Sequence, residues 1–373
     1  MSNRPVVFIG FDGMDIGLVT DWAQAGLMPT FARLFQTAPH FTVAYPRGLE
    51  AGSHWPSLIT GVPVSVHGQF DGLRIFDDYI YDKRQRMPQE FVVDPLWVHA
   101  SRGGKRVAVV DLPYSVPTPG INGVQVVDWL THVRRDEGLA SIPRDYAAQL
   151  IRDYGVNPLY AKNNNCPANA LPLDTAARIR QLQADLHWRV DAKTRMTLDL
   201  MRRENWDLFM TVFHDAHDVG HMLWHVHDPG HERHDASLAA ALGDPVRDIY
   251  VCLDAALADI LAALGDRAVA FVLCSLGMGP DRSASGFLDV LLMHLQRAYA
   301  AQERPARATG PSRRTLAARL FGLYGQMVPT PVRRSLRRAP VFRRLYRRSL
   351  IKARRKRPFL ELTATHATGG IRI

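Results

Sequence analysis

The chain is 373 residues long, with 47% hydrophobic and 22% charged residues, a balance that supports a sizeable core and excludes a disordered or collagen-like polymer. Its formal net charge of +10 is carried by one segment. Residues 304–360 hold 18 Lys or Arg and no Asp or Glu, leaving 28 basic against 36 acidic residues, a net of −8, in the rest. Any reading toward nucleic acid or membrane therefore concerns that segment alone.

In chain order, Val6–Phe11 is the first short apolar run without polar alternation, the pattern of a strand buried on both faces. Residues 62–104, rich in Pro and Gly, read as a long loop. Val107–Asp111 is a second strand, and 112–170 a second loop excursion. A long helix is expected from about Asp174 to Arg203, with Asp174 as N-cap and Leu182, Leu186 and Val190 in its apolar stripe. Leu208–Phe213 is the third strand. Asp244 to Leu264 gives a helix with Val246, Ile249, Tyr250, Leu253, Leu257 and Ile260 on one face, and Ala268–Cys274 is the fourth strand. Residues 311–357 read as short basic helices broken at Pro329, Pro331 and Pro340. The last stretch, Phe359 to Ile373, is strand-like and reads as a chain that stops inside a domain. Strands alternating with helices imply an α/β fold: a large, mostly parallel central sheet with helices on both faces. The expected organisation is an α/β domain over 1–303, a basic helical insertion over 304–357, and a return to the α/β domain over 358–373.

In such a sheet ligands gather beyond the carboxyl ends of the strands. The first strand runs into Asp12-Gly13, the third into His214-Asp215-Ala216-His217-Asp218-Val219-Gly220-His221, and the fourth into Ser275-Leu276-Gly277-Met278-Gly279. Seven of the 15 histidines lie between His214 and His234. His217 and His221 are four apart, which puts both imidazoles on one helix face, a spacing that chelates metal. His225, His227, His231 and His234 read as ordinary surface or core histidines. Asp12 reads either as a metal carboxylate or as a turn-forming Asp-Gly pair. In Glu50-Ala51-Gly52-Ser53-His54-Trp55, Ser53 starts an apolar helix and reads either as a metal-activated nucleophile or as a plain N-cap.

Taken together and in order, these motifs resemble the nucleotide pyrophosphatase / type I phosphodiesterase branch of the alkaline phosphatase superfamily. The resemblance rests on Phe8-Ile9-Gly10-Phe11-Asp12-Gly13-Met14-Asp15, Gly26-Leu27-Met28-Pro29, Trp55-Pro56-Ser57-Leu58-Ile59-Thr60-Gly61-Val62-Pro63 through His67-Gly68, Gly104 to Pro113, Asn122-Gly123, and Trp206-Asp207-Leu208-Phe209 through Gly220-His221. It implies a site with two divalent metals, commonly zinc. Carried over, Asp12 and Ser53 serve the first metal, and His217, His221 and His366 the second. Two departures stand out. Where most members carry Ser-Asp-His-Gly-Met, this chain has Ser275-Leu276-Gly277-Met278, so an Asp-His pair is missing. Ala51 stands where the nucleophile threonine is usual. The second metal set is thus kept as three histidines while the first is stripped, implying one or two bound ions.

The expected function is a metal-dependent hydrolase of phosphodiester or related phosphate ester bonds, with a small-molecule or polymeric phosphate ester as substrate. The competing readings are a catalytically inactive relative that binds a partner or a membrane surface, and a sulfatase or phosphonate hydrolase on the same scaffold. Paired arginines such as Arg333-Arg334, Arg343-Arg344 and Arg347-Arg348 recur at helical spacing within 313–357, and suit an anionic membrane surface. Sequence-specific nucleic-acid binding is not expected. Three scattered cysteines (Cys166, Cys252, Cys274), an N-terminus without signal-peptide character and the lack of an 18-residue apolar run suit a cytoplasmic location.

Overall fold

All four expected strands lie in one sheet. The computed structural model describes residues 4–44, 53–69, 73–74, 84–85, 93–131, 138–161, 173–278, 291, 294, 295, 298, 360–364 and 369–372. In chain order the elements are β1 (Val6–Phe11), α1 (Ile16–Gln24), α2 (Pro29–Thr37), α3 (His54–Thr60), α4 (Val64–His67), β2 (Leu73–Arg74), β3 (Arg84–Gln85), α5 (Leu96–Arg102), β4 (Val107–Val110), β5 (Gly123–Val127), β6 (Ala140–Ile142), α6 (Tyr146–Tyr154), α7 (Pro158–Ala161), α8 (Ala176–Arg203), β7 (Leu208–Phe213), α9 (Asp215–His227), α10 (Ala236–Leu242), α11 (Pro245–Leu264), β8 (Val269–Cys274), β9 (Leu360–Ala364) and β10 (Gly369–Arg372). The chain divides into two compact units: Met1–Pro46, Ala51–Phe70 and Arg86–Asp281 form the first, and Arg47–Glu50, Asp71–Gln85 and Arg282–Ile373 the second. In the second unit, β2 pairs antiparallel with β3, and β9 with β10. The basic insertion over 304–357 lies outside the described residues.

The first unit is built on a six-stranded sheet in the order β6-β5-β4-β7-β1-β8. All pairings are parallel except β5 with β6. Alternate residues of each central strand feed two cores. Ile9, Phe11, Ala108, Val110, Phe209 and Phe213 face a core closed by α1, α2, α8, α9 and α11. Val107, Val109, Met210 and Val212 face the other, closed by Trp55 and Ile59 of α3 and Trp97 and Val98 of α5. Each fully buried side chain of this size contributes about 1.5–3 kcal/mol, which explains why β1, β4 and β7 are almost wholly apolar.

Two strands of the sheet fall in the segment read as loop. β5 was hidden by its length and by Gln125 in the middle of it. That side chain is fully buried, and it spends its amide locally: Oε1 accepts from Thr118 N at 2.8 Å, and Nε2 donates to the Val116 carbonyl at 2.8 Å. A buried amide satisfied this way costs little, but it breaks the apolar run by which a buried strand is recognised. β6 has only three residues. The long helix also starts one residue later than expected. Thr175 is the N-cap of α8, accepting from Arg178 N, while Asp174 instead pairs with the Arg178 guanidinium at 2.6 Å. Asp244 caps α11 as a side-chain acceptor for Arg247 N, with Pro245 in the first turn.

Candidate metal centre

The carboxyl ends of β1 and β7 are adjacent, in register from Val6 opposite Leu208 to Phe11 opposite Phe213. Asp12 and His214 therefore leave the sheet side by side, and Asp12 N donates to the Phe213 carbonyl at 2.8 Å. Gly13 makes the turn. Its φ of +68° suits glycine, and a Cβ there would lie 2.6 Å from the His217 Cα, so only glycine lets this loop touch the first turn of α9. The result is a close set around one carboxylate. Asp12 Oδ1 accepts from Trp55 Nε1 at 2.8 Å and from the Ser275 hydroxyl at 3.1 Å. Asp12 Oδ2 lies 3.1 Å from His217 Nδ1 and 3.3 Å from His214 Nδ1.

Asp12 is buried, His217 is half-buried and His221 is exposed. The His217 and His221 rings are 4.6 Å apart between centroids. Burial opposes protonation of His217, but the Asp12 carboxylate outweighs it and holds the imidazole pKa above its ordinary value. Carboxylate and imidazole are the donor types that zinc takes. Among the described residues, no group of three or more His, Cys, Asp or Glu side chains is arranged to hold a metal ion. His366, the further imidazole expected there, lies outside the described residues, as does Ala51.

Ser53 stands at the N-cap position of α3 and is fully buried, but its hydroxyl makes no capping hydrogen bond. Two residues on, Trp55 ties the same helix to Asp12. Close by, Ser57 and His67 form a pair that looks like a nucleophile and its base, with Oγ 2.9 Å from Nε2. The hydrogen bonds argue otherwise. His67 Nδ1 accepts from Gln69 N at 3.0 Å, so in the neutral ring Nε2 carries the proton and donates to Ser57. Ser57 in turn donates to the Ser53 carbonyl at 3.0 Å, and the pair fastens the helix start.

The other histidines of the cluster have structural work. His227 Nδ1 lies 2.9 Å from Asp244 Oδ2, His234 Nδ1 donates to the His225 carbonyl, and His231 accepts from Arg233 N. What the sequence reading missed is the layer behind the site. Arg189 and Lys193 of α8 are buried against Asp111, Asp215 and Asp218. The available signal was two cations lying in the apolar stripe of Leu182, Leu186 and Val190. Burial pulls the Lys193 pKa down, against the pull of Asp111. Burial would raise the Asp111 carboxyl, but the Lys193 ammonium outweighs it and leaves that carboxyl below its usual range. Burial raises the pKa of Asp215.

Comparison with known families decides the kinship. The family model for type I phosphodiesterase / nucleotide pyrophosphatase matches residues 6–286. The chain belongs to that family. This is the branch implied by the motifs around Asp12, Trp55 and His221. No curated protein matches it. Among solved structures, it is similar to phosphonoacetate hydrolase from Sinorhizobium meliloti 1021 in complex with phosphonoformate, with TM-score 0.47 and 19% identity over 79% of this chain and 62% of that one. The phosphonoacetate complex of the same hydrolase gives TM-score 0.46 and 18% identity, also over 79% and 62%. The chain thus spans less than two thirds of the length of these hydrolase chains.

The end of β8 supports the Asp12 turn and then turns to packing. Ser275 accepts from Gly13 N at 2.9 Å and donates to Asp12, so it braces the turn. Leu276 and Gly277 carry no donor side chain. A Cβ on Gly277 would lie 2.1 Å from Asp15 Oδ2, and a Cβ on Gly220 of α9 would lie 3.2 Å from Met278 Sδ. The segment after β8, where the resemblance leads one to expect an Asp-His pair, is packed between the start of α1 and α9.

Proposed function

We propose that this chain is a divalent-metal-dependent hydrolase of phosphodiester or related phosphate ester bonds, with zinc as its metal. The observation that carries this reading is the meeting of Asp12 and His217, 3.1 Å apart beyond β1 and β7, in a chain of this family. A divalent ion, when bound, supplies Lewis-acid stabilisation of the charge on the phosphoryl oxygens. The residues prepare for it. Trp55 and Ser275 hold one oxygen of Asp12, so the other is turned to the imidazoles. His217 and His221 are the next donors in this reading, with His366 completing the set. Ser53 is the proposed nucleophile, carried by the helix that Trp55 anchors to Asp12. The metal content of the full chain and its hydrolysis of bis-p-nitrophenyl phosphate test the proposal. Both should fall together in His221→Ala, and if neither changes, the reading fails.

A second reading is favoured by Leu276 and Gly277, which replace donors with packing. In it the chain keeps a metal but turns nothing over, and acts as a binding protein. It predicts zinc binding without hydrolysis of phosphodiesters, sulfate esters or phosphonates. The arginine-rich segment 313–357 supports an anionic membrane surface as partner, and salt-sensitive binding to phosphatidylserine vesicles is the check. Among the described residues no helix is long and apolar enough to cross a membrane. The three scattered cysteines support a cytoplasmic location.

A further inference from the structure

Arg189 and Lys193 sit one turn apart on α8, with no exposed side-chain surface. Burying a cation costs several kcal/mol unless close partners offset it. Here the partners lead to the site. Lys193 Nζ lies 2.7 Å from Asp111 Oδ2 and donates to the Val212 carbonyl at 2.7 Å. Asp111, at the end of β4 with φ +52°, also accepts from Trp129 N and Leu130 N, each at 2.9 Å. Its own carbonyl accepts from His214 Nε2 at 2.8 Å, which turns the Nδ1 edge of that ring to Asp12. A carbonyl only accepts, so Nε2 carries the proton.

The second arm runs through α9. Arg189 reaches Asp218 Oδ2 at 2.5 Å and Asp215 Oδ1 at 3.1 Å, and donates to the Leu130 carbonyl at 3.0 Å. Asp215 and Asp218 are three apart and face α8, while His214 and His217, also three apart, face Asp12. One helical turn therefore carries buried anions on one side and site imidazoles on the other. It cannot roll about its axis without pulling a carboxylate off Arg189.

We propose that Arg189 and Lys193 are positioning residues for the metal centre: they fix the roll of α9 and the setting of His214, and so decide where the His217 imidazole meets the Asp12 carboxylate. The inference rests on the reading of Asp12 and His217 as metal ligands. A purely structural role would change stability and leave the site's own properties alone.

The test titrates Co²⁺ into the full chain and follows its d–d absorption. Lys193→Met and Arg189→Met, compared as folded proteins with wild-type far-UV circular dichroism, should bind Co²⁺ about 10–100-fold more weakly, with a shifted spectrum. Arg189→Lys should recover only part of the loss, because it keeps the charge but not the two-pronged geometry. Unchanged affinity and spectrum in the folded variants would overturn the proposal. Should the single variants fail to fold, Lys193→Met with Asp111→Asn removes both charges of that pair and takes the same titration. If wild type binds no Co²⁺, the ligand reading fails, and the positioning role is judged on the metal-free protein. Nitrogen NMR of the rings should then show His214 protonated at Nε2 in wild type and redistributed in Lys193→Met; identical spectra would refute it.

Discussion

The ends of β1 and β8 are neighbours in one sheet, and they have taken opposite courses. At β1, Asp12 is held by Trp55 and Ser275 and faces His214 and His217, with a buried layer of two cations and three aspartates behind it. At β8, Ser275 braces the Asp12 turn, and then Leu276, Gly277 and Met278 bring no charge at all. The difference teaches that one strand end can gather polar partners around a buried carboxylate while its neighbour in the same sheet is given over to packing.

The sharpest way to break this contrast is at the donors. His217→Ala should weaken zinc or Co²⁺ binding by more than about 100-fold, since removing a ligand costs more than removing its support; calorimetric titration measures it. Next comes the glycine turn. Gly13→Ala should destabilise the fold by about 2–4 kcal/mol, from a positive φ and a clash with the His217 backbone. Gly26→Ala, also at positive φ but with open space around it, should cost only about 1–2 kcal/mol. Denaturant unfolding of the pair separates close approach from backbone strain.

At β8, Ser275→Ala should cost about 1–2 kcal/mol through loss of its bonds to Gly13 N and Asp12. The same melts would show whether that strand end is brace or bystander. The smallest effect concerns Cys274 at the end of β8. Burial, aided by the Asp15 charge, pushes its thiol up to about 12. The native thiol should stay neutral and resist iodoacetamide at pH 8, while the unfolded chain reacts. The raised value favours the folded state's neutral form. Its stabilising effect is therefore complete below the ordinary thiol value near 9 and declines as pH rises toward 12.

The sequence was most legible where one property governs a whole element. The central strands were visible because both faces are buried, and α11 because its six apolar positions keep a single helical stripe. β5 was not, because Gln125 interrupts it with an amide whose satisfaction is visible only in three dimensions. The closeness of Asp12 and His217 was legible from the two strand ends that they follow. The hold of Trp55 on Asp12 joins residues 43 apart, and that of Lys193 on Asp111 joins residues 82 apart in sequence. No local pattern encodes such pairings. The one hint was charge in an apolar stripe, which marks burial without naming the partner.

The central claim is that Asp12 and His217, which the resemblance assigns to two different metals, meet at one divalent ion here. Its most direct test is an anomalous-difference map from crystals of the full chain grown with zinc. The account predicts a peak about 2 Å from both the Asp12 carboxylate and a His217 ring nitrogen. A map with no peak between them, or with zinc bound only at other histidines, would contradict it.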